Sequence, residues 1–451
     1  MRLSYSETMQ SLPPPWKANL VPAIREAFAG AEVTLIVMDD DPTGCQTVHD
    51  IPILTTWPVE ALRVELERSP VFFILTNSRS MPAREAIELN REVARNITEA
   101  AAQEGRRFMV ISRSDSTLRG HFRAEIETLK AQFRWQKAVT LCMPAFFEGG
   151  RFTIGDVHYV REGGELVPAA ETPYAKDPSF GFASSNLKDY IREKMGKTVG
   201  RDDICSISIE DIRKGGPEAV VHRLHACRDG GFCVVNACDR SDMDVVALAV
   251  FRAMEQGKQF LFRSAAAIIP ALIGLEPRPL LGAQDFSSPQ KGCGLVIVGS
   301  FVPMSSRQLA HLLANADIHA VELHVGRLLF EYRRREIERV TGETNRSIGM
   351  QSDTVVYTSR ELVTGDTPEE SIRIQSVVAG ALNEIVRGIS AAPRYILAKG
   401  GITSHDIAAK ALGVQRAVVM GQIIPGVPVW RLGEGSRFPG MSYIVFPGNV
   451  G

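Results

Sequence analysis

Short apolar runs of strand-forming residues recur along the chain, and each is followed by a stretch with helical periodicity. "VTLIVMD" (33–39), "VFFILTNS" (71–78), "RFMVISRS" (107–114), "AVTLCMPA" (138–145) and "GFCVVNACD" (231–239) have no polar face, so they read as strands buried on both sides. Between them lie amphipathic segments such as "AREAIELNREVARNITEAAAQEG" (83–105) and "AEIETLKAQF" (124–133). Alternation of this kind predicts βαβ units around a mainly parallel sheet. It pauses at "GLEPRPLLGAQDFSSPQKGCG" (274–294), rich in Pro, Gly and Ser, and restarts with "GLVIVGS" (294–300), "DTVVYTS" (353–359) and "RYILAKGG" (394–401). At 451 residues the chain exceeds what one core usually serves. The expected fold is therefore α/β, with two domains, each built around a mainly parallel sheet with flanking helices. Residues 1–275 form the first, 276–293 the linker and 294–451 the second.

The charge balance, 51 basic against 52 acidic residues, provides no global field for nucleic acid or anionic lipid. The first twenty residues lack the apolar core of a signal peptide, and the most apolar stretch, "SAAAIIPALIGL" (264–275), is broken by Pro270. Seven cysteines without a C-x-x-C pair predict reduced thiols in a cytoplasmic protein, with neither a disulfide framework nor a zinc site. His49, His121, His158 and His405 lack metal-ligand spacing and read as structural.

In open parallel sheets, ligands gather where loops leave the carboxyl ends of strands. At the first such end stands "DDDPTG", Asp39–Gly44. Asp, Pro and Gly make turns, but three consecutive acids exceed what a turn needs. They fit a Mg²⁺-binding carboxylate, an acceptor for substrate hydroxyls, or a group that takes a proton from an attacking alcohol. "SRSDSTLRGHF" (112–122) gathers Arg113, Asp115, Arg119 and His121 among small hydroxyls, and "TNSRS" (76–80) adds Arg79. Short of a helix cap at Ser116 or Thr117 with solvated arginines, this is a pattern for a hydroxy acid. Arginine would fork its carboxylate while Asp and Ser bond its hydroxyls. "ILAKGGITSHDIAAKALGV" (396–414) reads as strand, glycine pair and helix, with Thr403 or Ser404 as cap and Thr403 with Asp406 as a capping box. Such a turn suits a nucleotide phosphate, although it is neither G-x-x-x-x-G-K-[ST] nor G-x-G-x-x-G.

In chain order "DDDPTGCQTVHD", "TNSRS", "SRSDSTLRGHF", "PAFFEGGRFTIGDVHYV" (144–160), "VGSFVPMSSRQL" (298–309) and "AKGGITS" resemble the motifs of the four-carbon acid sugar kinases, from about residue 33 to the C-terminus. The resemblance implies phosphorylation of an acid such as threonate, erythronate or 3-oxo-tetronate from ATP. It also implies an acid-sugar domain followed by a nucleotide-binding domain. Asp41, Arg79 and the segment Ser112, Arg113, Ser114 and Asp115 fall on the family's substrate contacts. Ser300, the turn Gly400, Gly401, Ile402 and Thr403, and Gly448 fall on its nucleotide contacts. Pro42 replaces the usual Phe, Asp39 is an additional acid, and "CQTVHD" is unusual, which marks a divergent branch.

The resulting expectation is transfer from MgATP to a hydroxyl of a small sugar acid, a reaction that needs positioning and charge neutralisation above all. Arg79 and Arg113 would hold the carboxylate, Asp41 would orient the hydroxyl or take its proton, and the domains would close about the linker. The Mg²⁺ ligands are left unassigned, and the expected partners are the acid and ATP, with room for a homodimer. Two other readings stay open. "MDDDPTG" contains the D-x-D-x-T of haloacid-dehalogenase-type phosphatases, with Asp39 as nucleophile. The same two domains could also bind an acid sugar without turnover.

Overall fold

In a computed structural model of the chain, residues 2–286, 292–329, 331–360, 363, 368–448 and 450 are described. The middle of the expected linker (287–291) and two residues of the closing loop, Asn449 and Gly451, lie outside the described residues. The chain divides into two compact units, Met1–Val48 with Thr56–Arg278, and His49–Thr55 with Pro279–Gly451.

The first unit contains seven parallel strands. They are β1 (Val33–Asp39), β2 (Val71–Leu75), β3 (Arg107–Arg113), β4 (Val139–Met143), β5 (Ile204–Ile207), β6 (Phe232–Val235) and β7 (Phe260–Ser264). Their order is β5-β6-β4-β7-β3-β1-β2, every neighbouring pair parallel. The strands are apolar throughout because helices cover both faces, as expected of parallel sheets. Helix α1 (Ala83–Glu104) shows why its segment folds so. Ala86, Asn90, Val93, Ala94, Ile97 and Ala101 are buried at helical spacing, and Gly105 ends the helix at φ 61°. Helix α2 (Phe122–Gln132) follows β3. A separate antiparallel sheet, in which Leu3–Ser4, Glu165–Pro168, Val157–Glu162 and Arg151–Ile154 lie side by side, completes the unit.

In the second unit β8 (Gly294–Val298), β9 (His319–Leu323), β10 (Thr354–Thr358) and β11 (Tyr395–Lys399) lie in the order β9-β10-β8-β11, all parallel. The row continues through β12 (Arg416–Ile424), β13 (Val427–Leu432) and β14 (Ser442–Phe446). Of these, β14 pairs parallel with β11, then β13 and β12 follow antiparallel. Beyond β12 lies Ile51–Leu54, wholly buried and antiparallel to Arg416–Val419. This loan of a strand from the N-terminal sequence is absent from the reading of the chain as two consecutive domains. "IPIL" is too short to announce itself, and its partner is some 360 positions away. Helix α3 (Pro303–Asn315) sets Leu309 against Val298 and Val355 of the sheet. The remaining helices used below are α4 (Arg333–Gly349), α5 (Pro368–Arg387) and α6 (Gly401–Asp406).

One expectation is corrected. The thiols are not all free, because Cys205 on β5 and Cys227, which caps helix Gly216–Ala226, form a disulfide with Cα atoms 5.8 Å apart. The partners are 22 residues apart, brought together by the helix running back along the sheet, so no close sequence pair signals them. No helix among the described residues is long and apolar enough to cross a membrane.

Candidate functional site

The carboxyl ends of β1, β2, β3 and β7 lie side by side, and their loops interlock through the backbone. Thr76 and Asn77 N–H donate to Asp39 O, Asp40 N–H to Arg113 O, and Ser114 N–H to Ser264 O. This lacing holds the acids of "DDD" in three different environments. Asp39 and Asp40 are buried, and only Asp41 reaches the surface. Asp41 Oδ1 accepts the Thr43 N–H at 2.8 Å and the Thr43 hydroxyl, an Asx turn that explains why Thr follows two positions on. Gly44 is required for a different reason. A Cβ there would occupy the space of the Asp39 carboxylate.

Three arginines knit these acids. Arg79 pairs with Asp41, and its guanidinium also lies 3.4 Å from Asp115 and 3.8 Å from Asp40. Arg113 is buried and faces Asp39 at 3.2 Å and Asp40 at 3.8 Å. Arg119 pairs with Asp115 at 2.7 Å. Beneath them Arg263, from the end of β7, pairs with Glu125 of α2, and Ser112 and Ser78 donate to the same carboxylate at 3.1 and 2.9 Å. Ser114 donates to Asp40 at 2.8 Å.

All six residues expected to contact substrate thus belong to one network, but they divide into two layers. Asp41, Arg79 and Asp115 keep 18%, 17% and 13% of their side chains exposed. Ser112, Arg113 and Ser114 are buried, engaged with Glu125, Asp39 and Asp40. Arg113 therefore acts as the internal counter-ion that makes a buried acid pair tolerable. Arg263 and Glu125 were missed in the sequence. The available signal was an arginine inside the apolar run "FLFRS", where a lone charge needs a buried partner.

The network holds six acids (Asp39, Asp40, Asp41, Asp115, Glu125 and, through Arg119, Asp177) against four arginines (Arg79, Arg113, Arg119, Arg263), two negative charges in excess if all are ionised. A proton on the buried acids reduces the excess. Burial pushes the Asp39 carboxyl from 3.8 up to about 7, despite the opposing pull of Arg113, and burial raises Asp40 likewise. Asp39 Oδ2 and Asp40 Oδ1 are buried without a hydrogen-bond partner, which fits a proton held in this corner. Asp115 behaves oppositely: burial would raise it, but Arg79 and Arg119 outweigh that and lower it. Among the described residues the one group of three ligand atoms within 4.8 Å is Cys205, Cys227 and Cys233, two of them joined in the disulfide.

The same burial removes the phosphatase reading. Asp39 is 0% exposed, covered by Gly44 and held by Arg113, so it has no approach for in-line attack on a phosphate.

In the second unit, the carboxyl ends of β8, β10, β11 and β14 also converge. Gly400 has φ 116° and ψ 137°, a conformation for glycine alone, and a Cβ there would lie 3.0 Å from Ser300 Cβ and 3.3 Å from Thr403 Oγ1. Helix α6 starts at Gly401 with Gly400 as its cap, and neither Thr403 nor Ser404 caps it. This corrects the expected capping box. Without a Cβ at 400 the backbone turns early, Thr403 faces Gly299, and Ser404 donates back to Ala398 O or Gly400 O at 2.8 Å. Ser305 Oγ lies 3.0 Å from both Ser300 Oγ and Gly448 O, and Lys399 Nζ donates to Pro447 O at 2.7 Å and Val450 O at 3.1 Å. Lysine at the strand end therefore holds the closing loop beside Ser300, and burial lowers it from 10.5 to about 8.

Ser300, Gly400, Gly401, Ile402 and Thr403 border one cavity of about 260 Å³, closed on its other side by Val325, Ile374, Val378 and Leu382. Phe301 and Ile402, 47% and 57% exposed, line its mouth. Among the described residues no charged one lines it, so it suits a flat apolar group with a polar edge.

Comparison with known proteins agrees with this division. Residues 35–272 match the sugar-binding N-terminal domain model and residues 295–451 the nucleotide-binding C-terminal domain model. Among curated proteins, the chain is 24% identical over 412 residues to a 3-oxo-tetronate kinase of Pseudomonas savastanoi pv. phaseolicola, covering 85% of each. Two solved structures share the fold at 18% identity. One is Haemophilus influenzae protein HI1011, with TM-score 0.63 over 92% of this chain and 97% of that one. The other is a Salmonella typhimurium LT2 protein provisionally described as a tRNA synthase, with TM-score 0.66 over 93% and 96%. A sugar-binding model over the acid–arginine corner and a nucleotide-binding model over the glycine turn, in that order, make the chain a member of the four-carbon acid sugar kinase family.

Proposed function

We propose that the protein transfers the terminal phosphate of ATP to a hydroxyl of a four-carbon sugar acid such as threonate, erythronate or 3-oxo-tetronate. The observation that carries this reading is the separation of surface from buried charge in the first unit. Asp41, Arg79, Asp115 and Arg119 reach solvent together, which gives an incoming acid two guanidinium groups for its carboxylate and two carboxylates for its hydroxyls. Asp41 is the group best placed to orient the attacking hydroxyl or receive its proton. In the second unit the apolar cavity would take the adenine, and the glycine turn with Ser300 and Gly448 would take the phosphates. Mg²⁺ would arrive with the phosphate oxygens. The ion would neutralise phosphate charge. The chain's own part is to hold the acid, present the nucleotide and exclude water.

The test is a panel of C4 sugar acids assayed for ADP release in the presence of ATP. One or more should stimulate release at least tenfold over the acid-free rate. A panel in which no acid does so, with adenosine nucleotides bound normally, would leave a binding protein without turnover as the better account.

Charge balance predicts a pH signature for substrate binding. Asp39 has its pKa raised, so its carboxyl is neutral below about 7 and gains charge as pH rises through that value. The groups facing it are Arg113, Asp40 and Arg79. An additional negative charge there opposes an anionic ligand, so affinity for the acid should fall severalfold between pH 6 and 8. Asp39→Asn, which keeps an oxygen toward Arg113, should flatten the profile. An unchanged slope in that variant would place the titrating group elsewhere.

A further inference from the structure

Beside the apolar cavity lies a second recess of about 730 Å³, reached past Ser359, which borders both. Its walls come from α3 through Ser306, Leu309 and Leu313, from the end of β9 and the short helix Val325–Leu328 after it through Glu322, His324 and Arg327, and from the end of β10 through Tyr357 and Arg360. Unlike the cavity it carries charged groups, Glu322, Arg327 and Arg360, among apolar ones. Arg327 is already neutralised by Glu336 at 3.2 Å. Arg360 is not. Its guanidinium donates to Ser300 O and Thr358 O, each at 2.9 Å, and to the Thr358 hydroxyl, all uncharged acceptors. Among the described residues it has no carboxylate within ion-pair distance. The acid that most affects it electrostatically, Glu322, lies 3.6 Å from His324.

A half-buried guanidinium without a counter-ion is costly unless an anion arrives to match it. Burial disfavours its charged form and lowers its pKa. The bond to Ser300 O fixes its place, since that residue also abuts Gly400 and Gly448. We infer that Arg360, at the rim of this recess and against Ser300, is the residue that binds the nucleotide's phosphate chain at the glycine turn. The inference rests on the reading of the second unit as an adenine-nucleotide site, and it adds what the glycine turn lacks, a positive charge. Lys399, the other cation at these strand ends, is committed to the closing loop. An adenine nucleotide has the matching parts: an uncharged base for the apolar cavity, joined to a polyanion for the glycine turn with Arg360 beside it.

The experiment titrates ADP and adenosine into wild type, Arg360→Gln and Arg360→Lys, with folding checked by circular dichroism. Arg360→Gln should weaken ADP tenfold or more and leave adenosine within twofold, while Arg360→Lys keeps part of the ADP affinity because it keeps the charge. ADP bound equally by wild type and Arg360→Gln overturns the inference, and so does an equal loss of ADP and adenosine, which would mark a structural role. Wild type that binds neither ligand overturns the nucleotide reading itself.

Discussion

Asp41→Asn lowers turnover about a thousandfold, within the range that positioned acid–base groups contribute, and leaves ADP affinity within twofold. The geometry makes this substitution clean. The amide keeps an oxygen for the Thr43 N–H, now bonded to Asp41 Oδ1 at 2.8 Å, so the Asx turn and the loop it closes survive. What disappears is a charged acceptor at the one acid of the three that solvent reaches, together with one of the carboxylates around Arg79. Arg79 retains Asp115 and Asp40 as partners and is left freer to meet an incoming carboxylate. The expected split is therefore a collapse of kcat with KM for the acid unchanged or lower, measured by steady-state kinetics with ADP titration alongside. Parallel loss of turnover and ADP binding would contradict the assignment of this residue to the acid's side of the reaction. A kcat near wild type would remove Asp41 from the chemistry.

The sequence makes some parts of this molecule readable and hides others, for identifiable reasons. Apolar runs such as 33–39, 107–113 and 395–399 declare themselves because a parallel strand buried on both faces has no polar side to confuse the pattern. The residues at their carboxyl ends are equally visible, since chemistry concentrates where the sheet stops. Depth is what the letters do not convey. Arg79 and Arg113 look equivalent in sequence, yet Arg113 is locked between Asp39 and Asp40 while Arg79 faces outward. Long-range pairing is hidden for the same reason. Arg263 and Glu125 meet across 138 positions, and the Ile51–Leu54 strand meets Arg416–Val419 across the length of the chain. The early start of α6 at Gly401 escaped because a capping box can be spelled by residues that the turn at Gly400 has already carried inside the helix.

Gly400→Ala should weaken ADP about a hundredfold, roughly 3 kcal/mol, and leave the acid's affinity as it is. Two independent penalties act at this position. An L-residue at φ 116° and ψ 137° is strained by roughly 1–3 kcal/mol, and its Cβ would stand 3.0 Å from Ser300 Cβ and 3.3 Å from Thr403 Oγ1. Relief requires the turn to move away from Ser300, which widens the gap between Gly400, Ser300 and Gly448 that the phosphates would bridge. The neighbouring glycine gives the control. Gly401 already lies within the first turn of α6, where alanine is a better helix former than glycine, so Gly401→Ala should keep the turn's shape and cost ADP affinity only where the methyl meets ligand. Binding of ADP and of the sugar acid, each measured for both variants, separates the possibilities. If Gly400→Ala binds ADP as wild type does, the glycine turn is a packing device and the phosphates lie elsewhere. If it loses both ligands, the substitution has unfolded more than the turn, and thermal melting of each variant distinguishes that from a local effect.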